Sequence, residues 1–263
     1  MTEVNTASET KPEMVQLTIN GSLIETEKGK TVLEAARENG VEIPTLCYHP
    51  GLESLGACRL CIVEVAKASR PDKKKLVASC LYPVESGLVV DTQSDVVLKH
   101  RKVVLNMLLS RVPDSDVIRR LAAEYDIHES RYPNRKNADN CILCGICVRV
   151  CEAIGANAIT TVSRGPDKYV DVPMKDACIG CLACALNCPT NAIPFEEKDG
   201  KRRIWGKEFN LVRCWFSGEP IGTLEEIWHF AKQSGLPIES FLKSDKVRQK
   251  EQAFAPSEEN HDS

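Results

Sequence analysis

The sequence predicts an α+β chain built from small modules in series, and three observations carry that prediction. A strand-turn-strand pattern opens the apolar part of the chain, a cysteine-free stretch of helical periodicity follows, and a duplicated cysteine-rich segment comes next. Residues 15–19 (Val-Gln-Leu-Thr-Ile) alternate apolar and polar, Asn20-Gly21 is a type I′ turn signal, and residues 22–26 (Ser-Leu-Ile-Glu-Thr) read as the returning strand. Thr31 and Glu34 have capping-box spacing, so Val32, Leu33, Ala35 and Ala36 should form a short helix that Gly40 stops. Another strand is expected from Cys61 to Ala66. Hairpin, helix, cysteine loop and strand in this order describe a β-grasp module, placed at residues 14–92.

From Ser94 to about Asp126 the apolar residues recur with a helical period: Val96, Val97, Val103, Val104, Met107 and Leu108, then Val117, Ile118, Leu121 and Ala122. Pro113 should separate two helices, with Asp114 or Ser115 capping the second. This makes residues 93–130 a helical linker. Residues 131–200 form the next module, which contains an internal repeat. Cys141, Cys144 and Cys147 precede Asn157-Ala158-Ile159, and Cys178, Cys181 and Cys184 precede Asn191-Ala192-Ile193. The last region, residues 201–263, contains Trp205, Trp215 and Trp228, and Thr223 with Glu226 could cap a helix to about Ser234. It is expected to be a helical C-terminal extension. Residues 1–13 and 246–263 are polar or charged and are expected to be mobile tails.

Composition narrows the function classes. The 34 basic and 37 acidic residues leave a net charge of −3, too little to draw the chain to nucleic acid or an anionic membrane. The N-terminus lacks the apolar core of a signal peptide, and apolar runs such as Val103 to Leu109 are too short to span a bilayer. The expectation is a soluble cytoplasmic protein, in which thirteen cysteines mean metal ligation, not disulfides.

Twelve of those cysteines fall into three sets of four: Cys47, Cys58, Cys61, Cys80; Cys141, Cys144, Cys147, Cys151; and Cys178, Cys181, Cys184, Cys188, the last followed by Pro189. Thiolates are soft ligands for iron-sulfur clusters, and C-x2-C-x2-C-x3-C-P is the run of two-cluster bacterial ferredoxins. In that run the fourth cysteine ligates the other cluster. The expected [4Fe–4S] sets are therefore Cys141, Cys144, Cys147 with Cys188, and Cys178, Cys181, Cys184 with Cys151. A helical segment is expected to begin at each fourth cysteine. In the N-terminal set Cys58 and Cys61 share a loop relieved by Gly56, while Cys47 and Cys80 reach in from separate segments, which suits a [2Fe–2S] cluster. Zinc, which also uses paired C-x2-C motifs, is the competing ligand chemistry. The third cysteine at the same spacing, the fourth at x3 and Pro189 argue against it.

Residues 44–50 (Pro-Thr-Leu-Cys-Tyr-His-Pro) and 56–65 (Gly-Ala-Cys-Arg-Leu-Cys-Ile-Val-Glu-Val) resemble the [2Fe–2S] domain at the start of the large peripheral subunit of respiratory complex I. Related domains occur in the diaphorase-side iron-sulfur subunit of NAD-linked hydrogenases, in [FeFe] hydrogenases and in NAD-linked formate dehydrogenases. Residues 141–152, from Cys141 through Cys151-Glu152, resemble the dicluster domain of the hydrogenase and formate dehydrogenase members. The resemblance covers residues 14–197. In those families a His and three Cys between the two modules usually hold a further [4Fe–4S] cluster. Here no cysteine lies between Cys80 and Cys141, so that cluster should be absent and three clusters, about ten irons, remain.

The resemblance implies an electron-transfer subunit, itself non-catalytic, of a cytoplasmic multi-subunit oxidoreductase. It would relay electrons between a flavin-containing, NAD(H)-oxidising subunit and a catalytic subunit of hydrogenase, formate dehydrogenase or electron-bifurcating type. Rival readings are a freestanding polyferredoxin shuttle and an iron-sulfur redox sensor. No Gly-x-Gly-x-x-Gly, P-loop or Cys-x-x-Cys-His occurs, so nucleotide sites would lie on a partner and attached haem is excluded. Cys214 reads as a buried or incidental thiol, with redox sensing or an extra ligand as the alternative; His49 reads as a plain loop or core residue, against a potential-tuning or proton-coupled role; and His100 and His128 read as ordinary residues. Lysines 73–75 and Lys201-Arg202-Arg203 read as solvated loops, with docking of an acidic partner as the alternative, and the three tryptophans as core or interface anchors.

Overall fold

The computed structural model describes residues 13–135, 139–244 and 246–249, so the expected tails at 1–13 and 246–263 lie outside the described residues except for Glu13 and residues 246–249. The chain divides into two compact units, residues 1–145 and 146–263.

The first unit starts with β1 (Met14–Ile19) and β2 (Ser22–Glu27), an antiparallel hairpin in which Leu17 faces Ile24 and Thr18 faces Leu23. Asn20 and Gly21 both take positive φ, as a type I′ turn requires. Helix α1 (Val32–Glu38) has the expected capping box, with Thr31 and Glu34 each accepting from the other's backbone N–H. Then come β3 (Ile62–Lys67), β4 (Arg70–Ala78) and β5 (Leu88–Asp91). The sheet order is β2-β1-β5-β3-β4, with β1 and β5 parallel and the other pairs antiparallel. Leu17, Ile19, Val32, Leu33, Val63, Val65 and Val90 form the core between α1 and the sheet. Each such side chain contributes roughly 1.5–3 kcal/mol by leaving water.

Lysines 73–75 are on strand β4, not in a loop. The strand lies at the sheet edge, where lysine side chains blunt pairing with other chains, and Lys74 is paired with Glu64 at 3.0 Å. Its charge masked the β pattern. The linker helices are α2 (Asp95–Arg111), capped by Ser94, and α3 (Asp116–Ala123), capped by Ser115. Residues 131–145 belong with them in the first unit. Arg135 N–H donates to the Ser110 carbonyl (2.8 Å), Ser110 Oγ donates to the Pro133 carbonyl (2.6 Å), and Arg111 Nε donates to the Cys141 carbonyl (2.8 Å).

The second unit contains α4 (Ile146–Ala153), the small hairpin β6 (Thr160–Val162) and β7 (Tyr169–Asp171), and α5 (Ala183–Leu186). The extension is not wholly helical. A four-stranded antiparallel meander, β8 (Phe195–Lys198), β9 (Lys201–Ile204), β10 (Lys207–Arg213) and β11 (Pro220–Thr223), precedes α6 (Leu224–Ser234). Helix α6 has the expected Thr223–Glu226 capping box and ends at Gly235 in the left-handed region. Two-residue turns close the first hairpins of the meander, at Asp199-Gly200 and Trp205-Gly206, and all four residues have positive φ. Asp-Gly is a strong hairpin signal, but the high charge of residues 196–203 hid the strands around it.

Candidate metal centres

None of the thirteen cysteines forms a disulfide. In the first unit Cys47, Cys58, Cys61 and Cys80 converge beside the sheet, each 9% exposed or less. Cys58 N–H donates to Cys47 Sγ at 3.4 Å, and Cys61 Sγ is 3.4 Å from Cys80 Sγ. Gly56, at φ +64, lets the loop approach Leu81: a Cβ there would come within 2.5 Å of Leu81 Cδ1. The four thiols lie in two hydrogen-bonded pairs, Cys47 with Cys58 and Cys61 with Cys80. Hydrogen bonding from Cys47 pulls Cys58 down to about 5, and bonding from Cys80 pulls Cys61 down to about 6. Their partners Cys47 and Cys80 are pushed far up, by those same pairings first and by burial second. The amide N–H groups of Leu60, Leu46 and Cys47 also point at Cys58 sulfur. Four buried sulfurs ringed by N–H donors fit an iron-sulfur cluster, whose ligands must be deprotonated.

Arg101 belongs to no cysteine motif, yet it serves this centre. It is 3% exposed, on the face of α2 that also buries Val97, Leu105 and Leu109. Its Nε donates to the Leu60 carbonyl (3.2 Å) and its Nη2 to the Ile62 carbonyl (2.9 Å), so it grips the chain on both sides of Cys61. An arginine at the 97-101-105-109 spacing of an apolar stripe is the signal that marks it.

In the second unit Cys151, Cys178, Cys181 and Cys184 line one small pocket with Ile154, Ile159, Ile179, Leu182 and Ile204. These four are the set expected from crossed ligation. Burial raises the thiol pKa of Cys178 and Cys184, and raises Cys181 to about 11. Each sulfur also receives an N–H from nearby backbone: Gly180 to Cys178, Ala183 to Cys181 and Ala185 to Cys184, while Ala158 N–H donates to Cys151 at 3.3 Å. Cys188 accepts from Ala192 N–H at 3.2 Å. The helices enter before the fourth cysteines, not at them. Cys147 and Cys151 both lie on α4, and Cys188 follows the end of α5, because Asn187 caps that short helix back onto Ala183. Cys141 and Cys144 are in the first unit and Cys147 and Cys188 in the second, so their grouping rests on the repeat spacing.

Several further residues surround the second pocket. Arg202 is not in a solvated loop: it is 9% exposed, donates to the Gly180 carbonyl (2.6 Å), and pairs with Glu197 and Glu226 at 2.7 and 3.2 Å. Trp205 Nε1 donates to Cys184 Sγ at 3.4 Å. Trp215 and Trp228 are 87% and 59% exposed and anchor no core. His49 is a loop residue whose Nδ1 accepts from Gly51 N–H. Cys214 is buried at 2% exposure in a turn, and its pKa falls to about 6, first through the Ser217 hydroxyl. A cavity of about 760 Å3 lies among the linker helices, lined by Arg119, Arg120, Ile127, His128 and Tyr132, but no cysteine reaches it.

Residues 12–95 match a 2Fe-2S iron-sulfur cluster binding domain and residues 135–195 a 4Fe-4S dicluster domain; a second dicluster model matches residues 177–220. The chain is 32% identical to a subunit of NADH-quinone oxidoreductase from Rhizobium meliloti over 73% of its own length and 25% of that protein's. It is 31% identical to the NADP-reducing hydrogenase subunit HndD of Solidesulfovibrio fructosivorans over 68% of its own length and 36% of that protein's. The chain therefore spans about a quarter to a third of the length of these curated relatives. A chain in the crystal structure of an NAD+-reducing [NiFe]-hydrogenase in the H2-reduced state superposes with a TM-score of 0.54 at 29% identity, covering 62% of this chain and 76% of that one. No helix among the described residues is long and apolar enough to cross a membrane. The chain is an iron-sulfur protein, a 2Fe-2S domain followed by a 4Fe-4S dicluster domain, related to subunits of NADH-quinone oxidoreductases and NADP- or NAD+-reducing hydrogenases.

Proposed function

We propose that this chain is the electron-relay subunit of a cytoplasmic, NAD(H)-linked multi-subunit oxidoreductase. It would pass electrons between a flavin-containing subunit and a catalytic subunit of hydrogenase, formate dehydrogenase or electron-bifurcating type. The observation that carries the reading is the gathering of Cys47, Cys58, Cys61 and Cys80 into a buried tetrad, and of Cys151, Cys178, Cys181 and Cys184 around one pocket, inside domains whose relatives are named as oxidoreductase subunits. Cys47, Cys58, Cys61 and Cys80 would hold a [2Fe–2S] cluster. Cys178, Cys181, Cys184 and Cys151 would hold one [4Fe–4S] cluster, and Cys141, Cys144, Cys147 and Cys188 the other. When bound, each cluster supplies a one-electron acceptor and donor. The protein's part is to hold the thiolates, aim N–H groups at the sulfurs and exclude water with the apolar walls.

A freestanding shuttle is the second reading, and one observation favours it: the strands after residue 200 close on their own dicluster domain through Arg202, Trp205 and Thr223. Against it stand the exposed Trp215, Phe216, Leu224 and Trp228, a quantity of apolar surface that suits a lasting interface. Anaerobic affinity purification from the native cells, with mass spectrometry and NADH-dependent reduction of the clusters, separates the two. Co-purification of a stoichiometric flavin subunit with a catalytic subunit supports the relay. A chain that comes out alone, with clusters that NADH cannot reduce, supports the shuttle.

A further inference from the structure

The loop that carries Cys178 and Cys181 is held from outside by the meander. Lys207 Nζ donates to the carbonyls of Lys175 (3.2 Å) and Cys178 (3.0 Å), Thr223 Oγ1 to that of Ile179, and Arg202 Nη1 to that of Gly180 (2.6 Å). Three consecutive peptide groups thus have their oxygens fixed by side chains of the extension. In a trans peptide the N–H points opposite to the C=O. The captured oxygens therefore send the N–H groups of Ile179, Gly180 and Cys181 the other way, and Gly180 N–H indeed reaches Cys178 sulfur. Gly180 is itself pinned at φ +71 against buried Phe209, whose ring would lie 2.8 Å from an added Cβ.

Trp205 adds a fourth element. It occupies the first position of the Trp205-Gly206 turn at φ +54, a conformation that bulky side chains rarely adopt, and there its indole N–H meets Cys184 Sγ at 3.4 Å. Helix α6 holds the other wall, with the His229 ring 2.6 Å from the carbonyl of Ile154, just beyond the helix that carries Cys151.

We propose that residues 201–229 are a potential-setting clamp for the cluster held by Cys151, Cys178, Cys181 and Cys184, with Trp205 as a positioning residue whose N–H raises that cluster's reduction potential. The inference rests on the ligand set proposed above. An N–H donated to a ligand sulfur, and cations such as Lys207 nearby, stabilise the form with the extra electron, and hydrogen bonds to sulfur are among the determinants of cluster potential. Losing the indole donor therefore makes the cluster harder to reduce.

The test is an anaerobic redox titration of the full chain followed by EPR, comparing wild type with Trp205→Phe, Trp205→His and Lys207→Met. Trp205→Phe should lower the reduced-to-oxidised ratio of one [4Fe–4S] cluster up to about tenfold at fixed potential, a shift of about 59 mV for one electron. The other two clusters should keep their midpoints, and Trp205→His, which keeps a ring N–H, should recover part of the shift. Unchanged midpoints in both Trp205→Phe and Lys207→Met at full iron content would overturn the clamp. Should those variants lose iron, wild-type protein grown with indole-15N tryptophan decides the matter by pulsed EPR after dithionite reduction. A 15N coupling on one [4Fe–4S] signal supports the contact, and its absence refutes it. A wild type with no [4Fe–4S] signal would instead sink the cluster assignment.

Discussion

Arg101→Met is the sharpest probe of how the cysteine-free linker serves the first centre. Methionine keeps the unbranched apolar stem of the arginine, though it is shorter, and removes both donors, leaving the buried Leu60 and Ile62 carbonyls without their partner from α2. Hydrogen bonds to charged groups contribute roughly 1.5–3 kcal/mol each, so the loss should be about 3–6 kcal/mol. Domains of this size are stable by only about 5–15 kcal/mol, so the change should consume a large part of the first unit's stability. The assay is anaerobic urea denaturation, followed by circular dichroism and by the visible absorbance and EPR of the [2Fe–2S] centre. The midpoint should fall and the [2Fe–2S] signal should be depleted, while [4Fe–4S] signals persist. Arg101→Lys, with a single donor group able to reach one carbonyl, should lose about half as much. If Arg101→Met kept full [2Fe–2S] occupancy and stability within about 1 kcal/mol of wild type, Arg101 would not be what holds the Cys61 segment, because the two carbonyls would have found water or other donors.

Three other outcomes are expected. Iron and sulfide analysis of the anaerobic wild type should give about ten irons per chain, and Cys58→Ser should bring this to about eight with loss of the [2Fe–2S] EPR signal alone; about fourteen irons in the wild type would reveal a further cluster. Gly180→Ala should cost at least about 1–2 kcal/mol for its left-handed backbone, before the contact with Phe209, and should deplete one [4Fe–4S] signal; intact iron content and an unchanged thermal midpoint would count against the tight loop. Cys214→Ser should leave iron content and all three EPR signals unchanged, since its thiol lies in its own turn with Ser217 and outside every tetrad; loss of any cluster would make it a ligand.

What could be read from the sequence follows from how local each signal is. The first hairpin, the α1 and α6 capping boxes and the α2–α3 break are set within a few residues: Asn20-Gly21, Thr31 with Glu34, Thr223 with Glu226, and Ser115 after Pro113. The cysteine runs are legible for a similar reason, because their spacings are local: the structure gathers Cys47, Cys58, Cys61 and Cys80, and separately Cys151, Cys178, Cys181 and Cys184, while Cys141, Cys144, Cys147 and Cys188 are grouped by spacing alone. The strands β4, β8 and β9 were not legible, because charged residues fill them and their pairing partners are supplied by the fold. Arg202 shows the difficulty well. Within Lys201-Arg202-Arg203-Ile204 only the second and fourth side chains point inward, so a basic run that looks uniformly solvated carries one buried cation. Trp205 is harder still, because its contact with Cys184 depends on a turn conformation that a tryptophan seldom takes.

The same device recurs at all three cysteine runs, and it gives the non-cysteine segments a role. Arg101 on α2 holds carbonyls flanking Cys61, Arg111 at the end of the same helix holds the Cys141 carbonyl, and Arg202 with Lys207 holds the carbonyls of Gly180 and Cys178. Each cation comes from an element that follows or precedes its loop in sequence and contributes no cysteine. Capturing a carbonyl from outside turns the partner N–H of that peptide the other way, and it also places positive charge beside a site built for thiolates. Arg111 bears the cost of this arrangement: burial first, and Arg135 second, lower its pKa. The Cys141 thiol, when ionised, and the Asp139 carboxylate offset that crowding. The linker and the extension are thus electrostatic counterparts of the cysteine loops as well as spacers, which is why changing Arg101 or Lys207 should alter an EPR signal without removing a single ligand.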